Sequence, residues 1–210
     1  MSSDATSAPP RAYPVLRSPS GLATALTILL AVAGAVDLFA ALLGFAPGAG
    51  ESLVPSSDDG PLTGYSLLAL SAGIGQLVCL LGTGSVFIVW FHRARVNGEA
   101  FRPDLFAKRP GWAIGCWFVP VLNFFLPLRI AKEIWEASTQ YGPDGSARSV
   151  SPAPVLLWWA TFIGANFLTR LTEPGGNLLS AVSAVLAIVF VRKLTAMQVL
   201  KATEGPHAAV

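Results

Sequence analysis

The stretch GWAIGCWFVPVLNFFLPLRIAKEIWEAS, residues 111–138, decides how this chain is threaded. Its first half is apolar enough for a membrane span. Pro120 and Pro127 cut it, however, and Arg129, Lys132, Glu133 and Glu136 crowd its end. A proline removes a backbone donor and pushes the residue before it out of helix. Inside a bilayer such irregular backbone survives only where protein or water satisfies it. The pattern predicts a short helix near 111–118, a broken passage through VPVLNFFLP and an amphipathic helix over about 128–139. In that last helix Leu128, Ala131, Ile134, Trp135 and Ser138 share one face. Arg129 with Glu133, and Lys132 with Glu136, are spaced to pair at i,i+4 on the other. Residues 111–139 are therefore expected to dip in from the cytoplasmic side and return, as a re-entrant or interfacial segment.

The rest of the chain says what it dips into. Of 210 residues 53% are apolar and 12% charged, against about 25% charged in a soluble domain. Too few charges are present to cover a water-facing surface, so lipid is the main solvent. Four apolar runs read as spans, at about 21–45, 65–91, 154–171 and 176–194. The first is too long for the apolar region of a secretory signal, about 7–15 residues. Residues 1–20 are rich in Ser, Ala and Pro without apolar periodicity, and read as a disordered tail. Residues 46–61 read as a Gly/Pro/Ser loop with acids and no basic residue, and 201–210 as a short second tail. One membrane domain, 21–200, is expected, with no internal repeat.

Charge placement fixes the threading. Basic residues near span ends accumulate on the cytoplasmic side. With four spans and a dip, Arg11, Arg17, Arg93, Arg95, Arg102, Lys108, Arg109, Arg129, Lys132, Arg148, Arg192, Lys193 and Lys201 all fall inside, and of the 14 basic residues only Arg170 falls outside. If 111–138 crossed the bilayer, eight would lie inside and six outside. All six tryptophans also fall in the cytoplasmic half of the four-span arrangement, as expected for rings that prefer the headgroup level. The fold class is an all-α membrane protein: four transmembrane helices, a cytoplasmic-side re-entrant segment, and both termini cytoplasmic.

Asp37 is the lone carboxylate inside a span, and a charge there is costly unless paired. Asn166 and Arg170 lie at similar outer-half depth, so a buried Asp37–Arg170 ion pair closed by Asn166 is the expected resolution. A proton relay or a catalytic acid is the sharper alternative. Ser71, Gly75, Cys79 and Thr83 form an i+4 row of small residues suited to close helix packing, with a ligand groove as the sharper alternative, and Gln76 beside them should bond across to another helix. Cys79 and Cys116 sit in apolar runs, and His92 and His207 have no partner pattern, so neither a metal site nor a disulfide is expected. No phosphate-binding loop, zinc-protease helix or nucleophile elbow is present, and no cofactor is implied. The basic linker HRARVNGEAFRPDLFAKRP at 92–110 would attract anionic headgroups; nucleic acid is excluded by the low total charge and the lack of a motif.

Taken in order, WFHRARVN (90–97), GWAIGCWFVPVLNFFLP (111–127) and EIWEAS (133–138) resemble DUF4328, a bacterial membrane family of unknown function. The resemblance covers roughly residues 60–195. Gly98 stands where Ala is typical, and Cys116 where Gly is usual. The resemblance implies a four-helix protein of the bacterial cell membrane and no known activity. The expected role is a non-catalytic binding or accessory protein. Its cytoplasmic face, Arg93, Arg95, Asn97, Arg109, Trp112, Trp117, Asn123, Glu133 and Trp135, would meet an anionic lipid headgroup, a protein partner or a second copy. A small transporter or channel, or a membrane enzyme using Asp37 as acid, are the competing readings.

Overall fold

The computed structural model describes residues 16–46, 64–142 and 150–206. The expected tail up to residue 15, most of the 46–61 loop and the end of the second tail lie outside these residues. Six α-helices order the described chain: α1 Ser20–Gly44, α2 Gly64–Phe101, α3 Trp112–Gly115, α4 Leu126–Ser138, α5 Ala153–Leu168 and α6 Glu173–Glu204. Three of them, α1, α2 and α6, are long and apolar enough to cross a membrane, and α5 is a shorter apolar helix. Ile28 and Leu42 of α1, Leu77 and Leu80 of α2 and Val185 of α6 are all exposed, which is the surface of a helix solvated by lipid. Helices of this length and apolar surface suggest a membrane protein.

Two helices outrun their apolar stretches. With its 38 residues α2 measures ~57 Å at 1.5 Å per residue, and the 32 residues of α6 give ~48 Å, against ~30 Å of hydrocarbon. The first half of the expected linker is thus helix: α2 continues through Arg93, Arg95 and Asn97 because Trp90, Phe91, Ala94, Arg95 and Asn97 keep one buried face going. It stops at Arg102, which leaves the helix at φ −146° and ψ 78° as a residue before proline does. Likewise α6 runs into the expected tail as far as Glu204.

The long helices form an arc. α1 packs on both α6 and α2, and α5 packs on α6, while α2 and α5, at the two ends, hardly approach one another. Small residues set the closest approaches: a Cβ on Gly34 would lie 3.2 Å from the Cβ of Ala184.

The passage from 111 to 138 is a short helix, a broken stretch and a longer amphipathic helix, in the expected order. Trp117 packs edge-on against Phe87 and Trp159, with ring centroids 5.5 and 6.1 Å away. Phe124, in a 3₁₀ turn at Leu122–Phe124, reaches Phe167, two turns further along α5, at 6.2 Å. Helix α4 then runs back, and Ser138 Oγ meets Gln198 Nε2 at 3.2 Å, the same amide that donates to Ala94 O of α2. The segment returns to the end of α2 from which it left. Pro127 begins α4 rather than interrupting it, because a proline in the first turn forfeits a donor that has no helical acceptor. Arg129 and Glu133 pair at 3.0 Å; Lys132 and Glu136 do not pair among the described residues.

The tryptophans differ from a lipid-facing belt. Trp90, Trp135, Trp158 and Trp159 are buried, and only Trp112 is exposed. They form an internal aromatic cluster in which Trp158 stacks on Phe190 at 4.9 Å. Their large apolar area serves packing, and two of their polar edges find partners inside: Trp90 Nε1 donates to Thr195 Oγ1 at 3.1 Å and Trp135 Nε1 to Val150 O at 3.3 Å.

Candidate functional site

Two places collect polar groups. The first is a groove inside the arc, a cavity of about 570 Å³ lined by α1, α2, α5, α6 and Trp117. At one end Gln76 Nε2 donates both to Asp37 Oδ1 and to Asn177 Oδ1, each at 3.0 Å, so α2 bridges α1 and α6. The expected Asp37–Arg170 pair does not form. Arg170 is exposed at the end of α5 and makes no ion pair with Asp37 among the described residues. Asn166 does not close such a pair either: its Nδ2 donates to Phe162 O at 2.7 Å, within its own helix, while its side chain borders the groove. Matching depth alone suggested Arg170, but it lies beyond Leu168, the last residue of α5, and is exposed.

At the opposite end the groove is floored by aromatic rings. Phe87 and Trp158 close it across α2 and α5 at 5.4 Å, with Trp117 and Phe162 alongside. Two polar atoms bordering this space, Thr83 Oγ1 and Trp117 Nε1, are buried without a hydrogen-bond partner among the described residues. The small-residue row holds as packing at Gly75, where a Cβ would meet Val36 at 3.4 Å. Thr83 and Cys79 of the same row border the groove instead.

The second place is a polar seam joining the far ends of α2, α4 and α6. Arg95 is buried: Nη1 pairs with Glu99 at 2.8 Å, Nη2 donates to Lys108 O at 2.6 Å, and the guanidinium lies 3.7 Å from the centroid of the Phe106 ring. Asn97 Nδ2 donates to Arg17 O and to Gln198 Oε1, and its Oδ1 accepts from Arg17 N, which ties the segment before α1 onto α2. Lys201 Nζ donates to Ala137 O and Thr139 O at 2.9 and 2.6 Å, placing a cation on the last carbonyls of α4. The rings of Phe101 and Tyr141 flank it at 5.4 and 5.3 Å. Burial, with Arg102 close by, pushes Lys201 down to about 8.

This seam consumes much of the expected cytoplasmic binding face. Arg95, Asn97 and Trp135 are internal ties, Trp135 through Nε1 to Val150 O at 3.3 Å. Glu133 is paired with Arg129, Arg93 donates to Ser18 O at 3.2 Å, and Trp117 belongs to the aromatic cluster. Asn123 lies in the 3₁₀ turn with its Oδ1 buried and without a partner among the described residues. Arg109 and Trp112 stay exposed, with Lys108 Nζ 5.2 Å from the Trp112 ring. The residues do not converge on one site.

Sequence reasoning missed Asn177, Gln198 and Lys201. For the last two a signal existed: Ala187, Val191, Leu194, Gln198 and Lys201 continue one helical stripe past the end of hydropathy, and all are buried. Asn177 stood inside the last span without being weighed.

No curated protein and no solved structure matches the chain. The domain of unknown function DUF4328 matches residues 56–175, which takes in α2 to α5 and leaves α1 and nearly all of α6 outside the match. More than half of the sequence lies within that match, and the chain belongs to the DUF4328 family.

Proposed function

We propose a non-catalytic membrane binding or accessory protein of the bacterial cell membrane that engages anionic lipid at its basic end. In this reading four helices span, both termini are cytoplasmic, and residues 111–139 dip into the inner leaflet and return. Support for the threading comes from the charge asymmetry and from the course of 111–138, which begins and ends at the end of the bundle carrying Arg93, Arg95 and Lys201.

One observation carries the lipid reading. A crevice between α4, α5 and α6 is lined by Trp135, Pro154, Leu157, Leu186, Val189 and Met197, with Lys193 as the one charge among its lining residues. An acyl chain fits the apolar wall and an anionic head the lysine, at a membrane surface where each basic residue contributes ~1 kcal/mol. Arg109, in the loop after α2, Lys132 of α4 and Arg192 of α6 are further exposed cations. The variant that tests this spares the buried Arg95. Arg109, Lys132, Arg192 and Lys193 are changed to Gln, and the lipid carried through purification is weighed by native mass spectrometry. Wild type is expected to retain phosphatidylglycerol or cardiolipin and the quadruple variant to lose it, with neutral lipid unchanged. Equal retention by both removes the headgroup reading. The threading has its own test. A cysteine at Ser57, but not one at Gly142, should react with an impermeant reagent outside intact cells; reaction at Gly142 would overturn four spans.

A further inference from the structure

We propose that the groove between α2 and α5 binds a lipophilic organic monocation, an ammonium head on an apolar body, with Asp37 as its counterion. The volume, about 570 Å³, lies in the range of small-molecule sites, ~300–1,000 Å³. Asp37 is the one carboxylate among the lining residues, and no Lys, Arg or His is among them. Among the described residues the carboxyl is supported by a neutral amide and has no ion-pair partner.

Hydrogen bonding gives the head its polarity. Both amide hydrogens of Gln76 are committed, to Asp37 and Asn177, and one of the two of Asn166 is committed to Phe162 O. The space is left with acceptors, the carboxylate of Asp37 and the carbonyl oxygens of Gln76 and Asn166, beside the remaining amide hydrogens of Asn166 and Asn177. The carboxylate is the one ionisable acid or base in that set, so a head carrying one positive charge matches it. Midway along, the Thr83 hydroxyl is buried with no partner among the described residues, so the groove is a built space with an unmet polar group and not a closed apolar seam. The far end is a floor of aromatic faces, which accept an apolar body and tolerate a cation.

The shape decides against other occupants. Because α2 and α5 hardly approach one another at this level, with Leu77 and Leu80 exposed alongside, the opening faces the lipid, and a ligand arrives dissolved in the bilayer. An anionic amphiphile meets Asp37 unfavourably. A helix from a second copy would have to run through the aromatic floor, where Phe87 and Trp158 stand 5.4 Å apart. A hydrocarbon chain would fill the space but leave the carboxylate without a counterion.

The test uses the full chain in phosphatidylcholine nanodiscs and three probes of one length: dodecylamine, dodecanol and dodecanoate. Equilibrium dialysis against protein-free discs measures binding. Saturable uptake of one amine per protein is expected, at least about tenfold tighter than the alcohol. Asp37→Asn should weaken amine binding by at least about tenfold and leave the alcohol unchanged. Its thermal unfolding is followed in parallel, and Asp37→Glu, which keeps the charge, should retain the preference for the amine. Replacing Arg109, Lys132, Arg192 and Lys193 by Gln should not alter amine binding, which separates this site from the basic face. The proposal is overturned if dodecanol or dodecanoate binds as tightly as the amine, if Asp37→Asn and Asp37→Glu behave alike, or if the folded wild type takes up no amine saturably.

Discussion

Lys201 shows what a single side chain contributes and why it was hard to foresee. As a sequence position it reads as one more cytoplasmic cation; in the fold it is buried on two carbonyls at the end of α4. Its position lies well past the apolar run that ends at Val191. The sign of its effect follows from linkage. With its pKa lowered from 10.5 to about 8, the folded chain gives up this proton before the unfolded chain does. Stability rises with pH wherever the unfolded state binds more protons. Wild type should therefore gain stability relative to Lys201→Met as pH rises from about 8 to 10.5. Thermal unfolding of both proteins across that window checks it; curves that stay parallel would remove the lysine as the cause. Asp37 teaches the complementary lesson. Its unusual place was legible because an acid in a span is rare, but its partner was not, since a hydrogen bond depends on helix rotation and depth together. Gln76, read as bonding across to another helix, bonds to two.

At the scale of elements, hydropathy located the helices and misplaced two of their ends. The polarity of HRARVN ended the apolar run at Phe91, yet the helix continues to Phe101 because its buried stripe persists in polar form. Gly98 belongs to this arrangement. A Cβ there would lie 3.0 Å from Phe106 Cζ, and Phe106 is the ring over which Arg95 is laid. The extension consequently depends on Arg95. Arg95→Ala would leave the Lys108 carbonyl without its charged donor and empty the space beneath Phe106, at a cost of ~2–4 kcal/mol. Arg95→Lys should recover only part of this, because an ammonium cannot serve Glu99, Lys108 and the ring in one plane. Arg109→Ala, at an exposed position, should stay within ~0.5 kcal/mol of wild type. Denaturation of the three variants in one detergent decides the matter, and equal losses for Arg95→Ala and Arg109→Ala would return Arg95 to the surface face. The broken segment was the most legible element, since prolines act locally. Only the part played by Pro127 needed the structure, because helix start and helix break look alike in sequence.

On the scale of the whole molecule the arrangement is an arc, held tightly where α1 meets α6 and α6 meets α5, and left open between α2 and α5. No single span announces such an arc. Each is apolar all round, so periodicity does not say which face meets which neighbour. Glycines carry part of the missing information, and two of them predict opposite outcomes. At the turn joining α5 to α6 a Cβ on Gly176 would lie 2.6 Å from the amide nitrogen of Thr169, a backbone atom that cannot swing aside. Gly176→Ala must therefore push α5 away from α6, with an overpacking cost of ~1–3 kcal/mol. On α2, a Cβ on Gly73 would meet nothing within 4 Å. Gly73→Ala should then keep only the gain in helix propensity, ~0.5–1 kcal/mol of added stability. Thermal unfolding of the two variants beside wild type, in the same detergent, is expected to move in opposite directions. Because α5 is also one wall of the groove, the Gly176 variant should change dodecylamine uptake as well, whereas the Gly73 variant should not. A Gly176→Ala protein as stable as wild type would mean that α5 and α6 cross less closely than 2.6 Å requires, and the arc, with the groove it frames, would have to be redrawn.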